Sequence, residues 1–114
     1  AEVPERWESR NGKESKKGIL TLTEADLKNA TFARMAVSTW SGNVDDTSVH
    51  ELRLNNEPLA ARFGEFHNYD LDTLEVPLSR LKPGTNEISL FSTFKGHAFE
   101  INWPGPALFI EYKK

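Results

Sequence analysis

Apolar residues in the second half of this chain recur at alternate positions. Leu52 and Leu54 form one set, Leu74, Val76 and Leu78 a second, Ile88 and Leu90 a third, and Leu108, Ile110 and Tyr112 a fourth. A period of two puts these side chains on one face of a pleated strand and their polar neighbours on the other. Between the sets lie Asn55-Asn56, Lys82-Pro83-Gly84-Thr85-Asn86 and Trp103-Pro104-Gly105-Pro106. These residue types make tight turns, because they tolerate positive φ or fix φ in advance. Short alternating strands with turn signals about every 8–12 residues predict an antiparallel sandwich or barrel.

The pattern predicts strands at 19–23, 31–40, 49–54, 59–63, 73–78, 87–94, 98–103 and 107–112, about eight or nine in all. In the longest, Ala33, Met35 and Val37 suit the core, whereas Arg34, Ala36 and Ser38 face away. Trp40 falls on that outward parity at the strand's end. Residues 24–29 read as a turn or short helical piece. Pro77, near the end of its strand, marks an edge or a terminus. Residues 1–17 carry nine charged side chains and one large apolar one, Trp7. They read as a charged arm or loosely held first strand that Trp7 is able to anchor. Residues 18–114 read as a single β-sandwich domain.

With 114 residues the chain is long enough for one domain that buries a core without disulfides or a structural metal. Its formal net charge is −3 and the two signs are interspersed. Neither a basic nucleic-acid footprint nor a polybasic membrane patch is present. No apolar run approaches the roughly 18 residues of a membrane span. The lack of cysteine excludes a disulfide framework, thiol catalysis and cysteine-ligated zinc. The opening Ala1-Glu2-Val3-Pro4 has no charged-then-apolar signal pattern. A domain cut from a larger protein is expected, the other reading being a chain whose signal was removed.

Three segments together resemble the galactose-binding-like jelly-roll superfamily. The first, Leu52-Arg53-Leu54-Asn55-Asn56-Glu57-Pro58-Leu59, is similar to its hairpin ending in an Asn-rich turn. The second, from Leu74-Glu75-Val76-Pro77-Leu78 through Leu81-Lys82-Pro83-Gly84-Thr85-Asn86-Glu87-Ile88, is similar to its strand, Pro-Gly turn and Asn. The third, Gly105-Pro106-Ala107-Leu108-Phe109-Ile110-Glu111-Tyr112, looks like the closing strand. The resemblance covers about the C-terminal two thirds of the chain. It implies an all-β antiparallel jelly-roll sandwich, a secreted or extracellular setting, and a poly- or oligosaccharide as partner. Other domains of a larger parent protein would be further partners, with neither nucleic acid nor membrane among them. The chain departs from the sugar-binding pattern before the closing strand, with Ala107 where an Asn is usual and Phe109 where an Asp is usual. That lessens what the resemblance implies for the usual loop site and for calcium.

Sugar recognition needs flat aromatic surfaces for the C–H face of a pyranose and a few fixed polar groups for its hydroxyls. Three loops offer them: Trp40 with Asn43 and Asp45, then Phe66-His67-Asn68-Tyr69, then Lys95-Gly96-His97 with Asn102 and Trp103. Each residue has a plainer reading too. Trp40 suits rim packing as well as a ligand platform, and Phe66 and Tyr69 suit loop anchors. Trp103 shares the parity of Phe99 and Ile101 and so suits the core. His67 and His97 are lone histidines of ordinary surface type.

Metal and catalytic chemistry have weaker footing. His50, His67 and His97 lack the close spacing of a zinc motif. Asp45-Asp46 and Asp70-Leu71-Asp72 offer oxygens to a structural calcium, but without a twelve-residue calcium loop they read as solvated turn acids. No cofactor is expected. There is no nucleophile elbow, phosphate loop or metalloprotease helix, and a sandwich of this size rarely builds the cleft that paired carboxylates need. The expectation is a non-catalytic carbohydrate-binding module of a secreted polysaccharide-active enzyme. The alternative is a structural or protein-contact accessory domain without a sugar ligand.

Overall fold

A computed structural model of the chain describes residues 7–62, 70–102 and 105–112. Among them nine strands make two antiparallel sheets: β1 (Glu8–Ser9), β2 (Gly18–Leu22), β3 (Ala30–Trp40), β4 (His50–Leu54), β5 (Glu57–Ala61), β6 (Asp70–Glu75), β7 (Gly84–Ser92), β8 (Phe99–Ile101) and β9 (Ala107–Tyr112). The four-stranded sheet has the order β2-β7-β4-β5, and the five-stranded one β1-β8-β3-β6 with β9 also on β3. The eleven residues of β3 make this possible. One of its edges carries β6, while the other takes β8 at Thr39 and Trp40 and β9 from Ala30 to Ala36.

The alternation read from the sequence governs how the sheets meet. Ala33, Met35 and Val37 of β3 face inward with Phe99 and Ile101, opposite Leu52, Leu54, Ile88 and Leu90 of the other sheet. All nine are at most 7% exposed, and their removal from water is the main stabilising term of a domain this size. The result is sandwich-like, as the pattern requires.

Several boundaries differ from expectation, each for a local reason. Asn55 and Asn56 adopt φ of 52° and 67°, a two-residue turn that lets β5 begin at Glu57 rather than at 59. β6 begins at Asp70 and stops at Glu75, and a 3-10 turn at Leu78–Arg80 follows. Asp70 and Asp72 are therefore strand residues, not turn acids. Tyr112 does not join the inner face. It lies past an irregularity in the β3–β9 register, is 47% exposed, and donates its hydroxyl to the Asp26 carbonyl at 2.7 Å.

From Trp7 onward the charged N-terminal stretch is woven into the sheets. Trp7 is 5% exposed and its carbonyl accepts from the Ile101 N–H at 2.9 Å. Its ring lies on Gly18, where a Cβ would come within 2.2 Å of it. Asn11 and Gly12, with φ of 60° and 77°, close a tight turn between Arg10 and Lys13. Beyond it, Ser15 donates its N–H to the Leu90 carbonyl and accepts from the Leu90 N–H through Oγ.

The end of the sandwich where β2, β4 and β6 finish is tied by side chains. Asn86 is fully buried. Its Oδ1 accepts from the Lys82 N–H and from Asn55 Nδ2, and its Nδ2 donates to the Lys82 carbonyl. Asn55 Oδ1 accepts from the Glu87 N–H, and Arg80 donates to the carbonyls of Leu54, Glu57 and Pro58. A one-turn helix, α1 (Glu24–Leu27), starts here with a reciprocal cap between Thr23 and Asp26.

Candidate functional site

The opposite end is built from crossings between the sheets. β3 passes to β4, β5 to β6 and β7 to β8 there. The N-terminal turn joins them: Asn11 N–H donates to Phe94 O and Gly12 N–H to Ser92 O, both at 2.8 Å. The first and third crossings are laced together, with Val49 N–H donating to Thr93 Oγ1 and Thr93 N–H to Val49 O, each at 2.9 Å. The Trp40–Asp45 loop and Lys95-Gly96-His97, two of the stretches singled out from the sequence, thus share one end of the molecule.

Trp40 closes β3 on the outward parity and is half-buried. His97, from the connection between β7 and β8, meets it edge-on, with ring centroids 6.1 Å apart and planes at 81°. On its other side His97 stacks with Phe94 at 6.1 Å and 21°. The approach depends on Gly42, where a Cβ would come within 2.3 Å of the His97 ring. Three rings therefore make a continuous run across this end.

The other predicted residues fall out differently. Asn43 is exposed on the connection between β3 and β4. Asp45 holds its own loop: Oδ1 accepts from the N–H and hydroxyl of both Thr47 and Ser48. Those bonds, the Ser48 hydroxyl foremost, hold its carboxyl below the usual carboxylate range. Asn102 donates its N–H to the Ser38 carbonyl, and its buried Nδ2 has no partner among the described residues. His67, Tyr69 and Trp103, with Phe66 and Asn68, lie outside the described residues.

Three further residues enter the site. Phe94 carries the far side of His97. Arg62, at φ 63°, donates through Nη2 to the Asp45 carbonyl at 2.8 Å and so ties the end of β5 to the first crossing. Glu100 is the cross-strand partner of Trp40 and also of Glu8, so two carboxylates stand side by side next to the tryptophan. Partial burial first, and the Glu8 charge second, push the Glu100 carboxyl above its usual value. Alternation with Phe99 and Ile101 could have marked Glu100 as outward-facing, but its pairing with Trp40 is a matter of register.

Beneath the rings the interior is polar. His50 stacks on Phe99 with centroids 3.9 Å apart and lies 3.1 Å from buried Ser92 Oγ through Nδ1, and Thr39 and Ser41 on either side of Trp40 in sequence are fully buried too. Among the described residues no three of His, Cys, Asp and Glu gather as a metal group would require. Chemically, the end offers aromatic edges and faces for apolar C–H surface, carboxylates that accept hydroxyl protons, and an imidazole that can do either. No family model, no curated protein and no solved structure matches this chain.

Proposed function

We propose that this chain is a non-catalytic carbohydrate-binding module, a jelly-roll sandwich of the galactose-binding-like type, serving a secreted polysaccharide-active enzyme. The observation that supports this most is the run of Trp40, His97 and Phe94 at the end where the crossing connections gather. Amphipathic rings on a rigid sheet end suit a ligand that presents alternating C–H faces and hydroxyls. Asn43, Glu100 and His97 supply polar partners around them.

Affinity electrophoresis through gels holding soluble plant, algal and microbial polysaccharides tests the proposal. Retardation by one polymer class is expected, and it should disappear in Trp40→Ala while the variant melts cooperatively near the parent temperature. Retardation that survives Trp40→Ala would take the site away from this end.

A second reading is a module that contacts protein and holds no sugar. It draws on Leu71 and Phe109, which are 74% and 53% exposed. Uniform migration through every gel would favour it.

A further inference from the structure

We infer that the bound chain continues from Trp40 along the outer face of the five-stranded sheet, and that it is an extended, uncharged glycan. The inference rests on the carbohydrate-binding reading above and names its ligand. Below Trp40 the outward positions of β3 are Ser38, Ala36, Arg34 and Phe32. Leu71 stands beside Ser38, Thr73 and Ala107 beside Ala36, and Glu75 and Phe109 beside Arg34. From Trp40 to Arg34 is six positions, roughly 20 Å along an extended strand, enough for several pyranose rings end to end. A hollow of about 180 Å³ lined by Phe32, Arg34, Thr73, Leu74 and Glu75 closes the path.

Spacing and charge decide the occupant. The large apolar side chains stand apart, with Ser38, Ala36, Thr73 and Ala107 as a low floor between them. Separated platforms of this kind suit successive sugar rings better than the continuous apolar centre of a protein interface. Among the described residues the middle of the face carries no charge, and the Arg34 guanidinium farther along is paired with Glu111 at 2.6 Å. At the Trp40 end, Glu8 and Glu100 form no ion pair among the described residues. A uronate or sulfate placed against Glu100 meets two like charges, whereas sugar hydroxyls donate to them, and the cations Arg10, Lys13 and Lys16 gather with Glu8 around a separate hollow.

Calorimetry with uncharged β-1,4-linked gluco-, manno- and xylo-oligosaccharides, from disaccharide to hexasaccharide, tests the track. The wild-type chain should bind one series with a dissociation constant that tightens about tenfold or more with length. Ala36→Arg, which raises the floor, should abolish that gain and leave disaccharide affinity within about twofold. Thr73→Arg, at an exposed position on the next strand, should do the same and serves if the first variant fails to fold. Equal affinity at all lengths, or a length gain that survives in a folded variant, overturns the track and leaves the Trp40 site standing. Tighter binding of oligogalacturonides overturns the uncharged class. Failure of every saccharide, charged or not, removes the carbohydrate reading with it.

Discussion

Where β4 turns into β5, side chains are committed to backbone. Asn86, Asn55 and Arg80 between them answer carbonyls and N–H groups of four segments. At the opposite end the order comes from rings leaning on one another and from bonds that tie one loop to the next, such as Arg62 to the Asp45 carbonyl and Val49 to Thr93. Buried Thr39 Oγ1, Ser41 Oγ and Asn102 Nδ2 find no partner there among the described residues, an arrangement a domain optimised only for stability would avoid. The contrast separates two tasks. One end fixes strand register through side chains bonded to backbone, and the other, on the function proposed above, is where polar and aromatic groups meet a ligand.

The largest effect belongs to the tied end. Asn86→Ala should cost about 3 kcal/mol, because it strips partners from the Lys82 N–H, the Lys82 carbonyl and Asn55 Nδ2 together. That is roughly a 10 °C fall in melting temperature, with glycan affinity of the folded fraction unchanged. Trp40→Ala should show the reverse. Stability should fall by less than about 1 kcal/mol, the side chain being half-buried at a strand end, while binding weakens by about 2 kcal/mol or more, roughly thirtyfold. Chemical denaturation and calorimetry on both variants would expose the split, and proportional losses in both quantities would erase the distinction between the ends.

The tied end was largely legible beforehand. Asn55-Asn56 and the Pro-Gly-Thr-Asn turn carry their backbone demands in their residue types, and β3 announced its inner face through Ala33, Met35 and Val37. Asn11-Gly12 was an equally strong turn signal, hidden among charged neighbours that bind the sheet through backbone groups and through the side chains of Glu14 and Lys17. The start of β6 was missed because Asp70-Leu71-Asp72 reads as polar, although its alternation fits an edge strand. The ring run was legible only in part. Trp40's outward parity was readable, but His97 reaches it through a crossing between sheets and over the bare Cα of Gly42. Neither sequence distance nor composition encodes such a meeting.

That meeting can be broken without touching either ring. Gly42→Ala places a methyl where the His97 ring now sits, so His97 must leave Trp40 or the connection must shift. Binding should fall by about 1 kcal/mol, roughly fivefold, whereas stability changes by about 1 kcal/mol at most. An unchanged affinity would mean that His97 is a bystander and that Trp40 acts alone or with the outer face.

The smallest effect sits beside Trp40. Glu100 has its carboxyl pushed above the ordinary 4.5, by partial burial first and by Glu8 second. The folded chain therefore keeps this proton to higher pH than the unfolded chain does. Stability linked to it is fully present below the unfolded value and is lost as pH rises through the folded one. Where charge develops on Glu100 it faces Glu8 on the adjacent strand, a pairing that destabilises by a few tenths of a kcal/mol, with water screening most of it. Glu100→Gln should then raise the melting temperature by a degree or two at about pH 7 and by nothing at about pH 3.5. Glu8→Gln should give a smaller gain, since it relieves only the second cause. Melting curves of the three proteins across that range decide the matter. A gain that persists in acid would belong to packing rather than charge, and would count against the exclusion of anionic ligands proposed for the carboxylates beside Trp40.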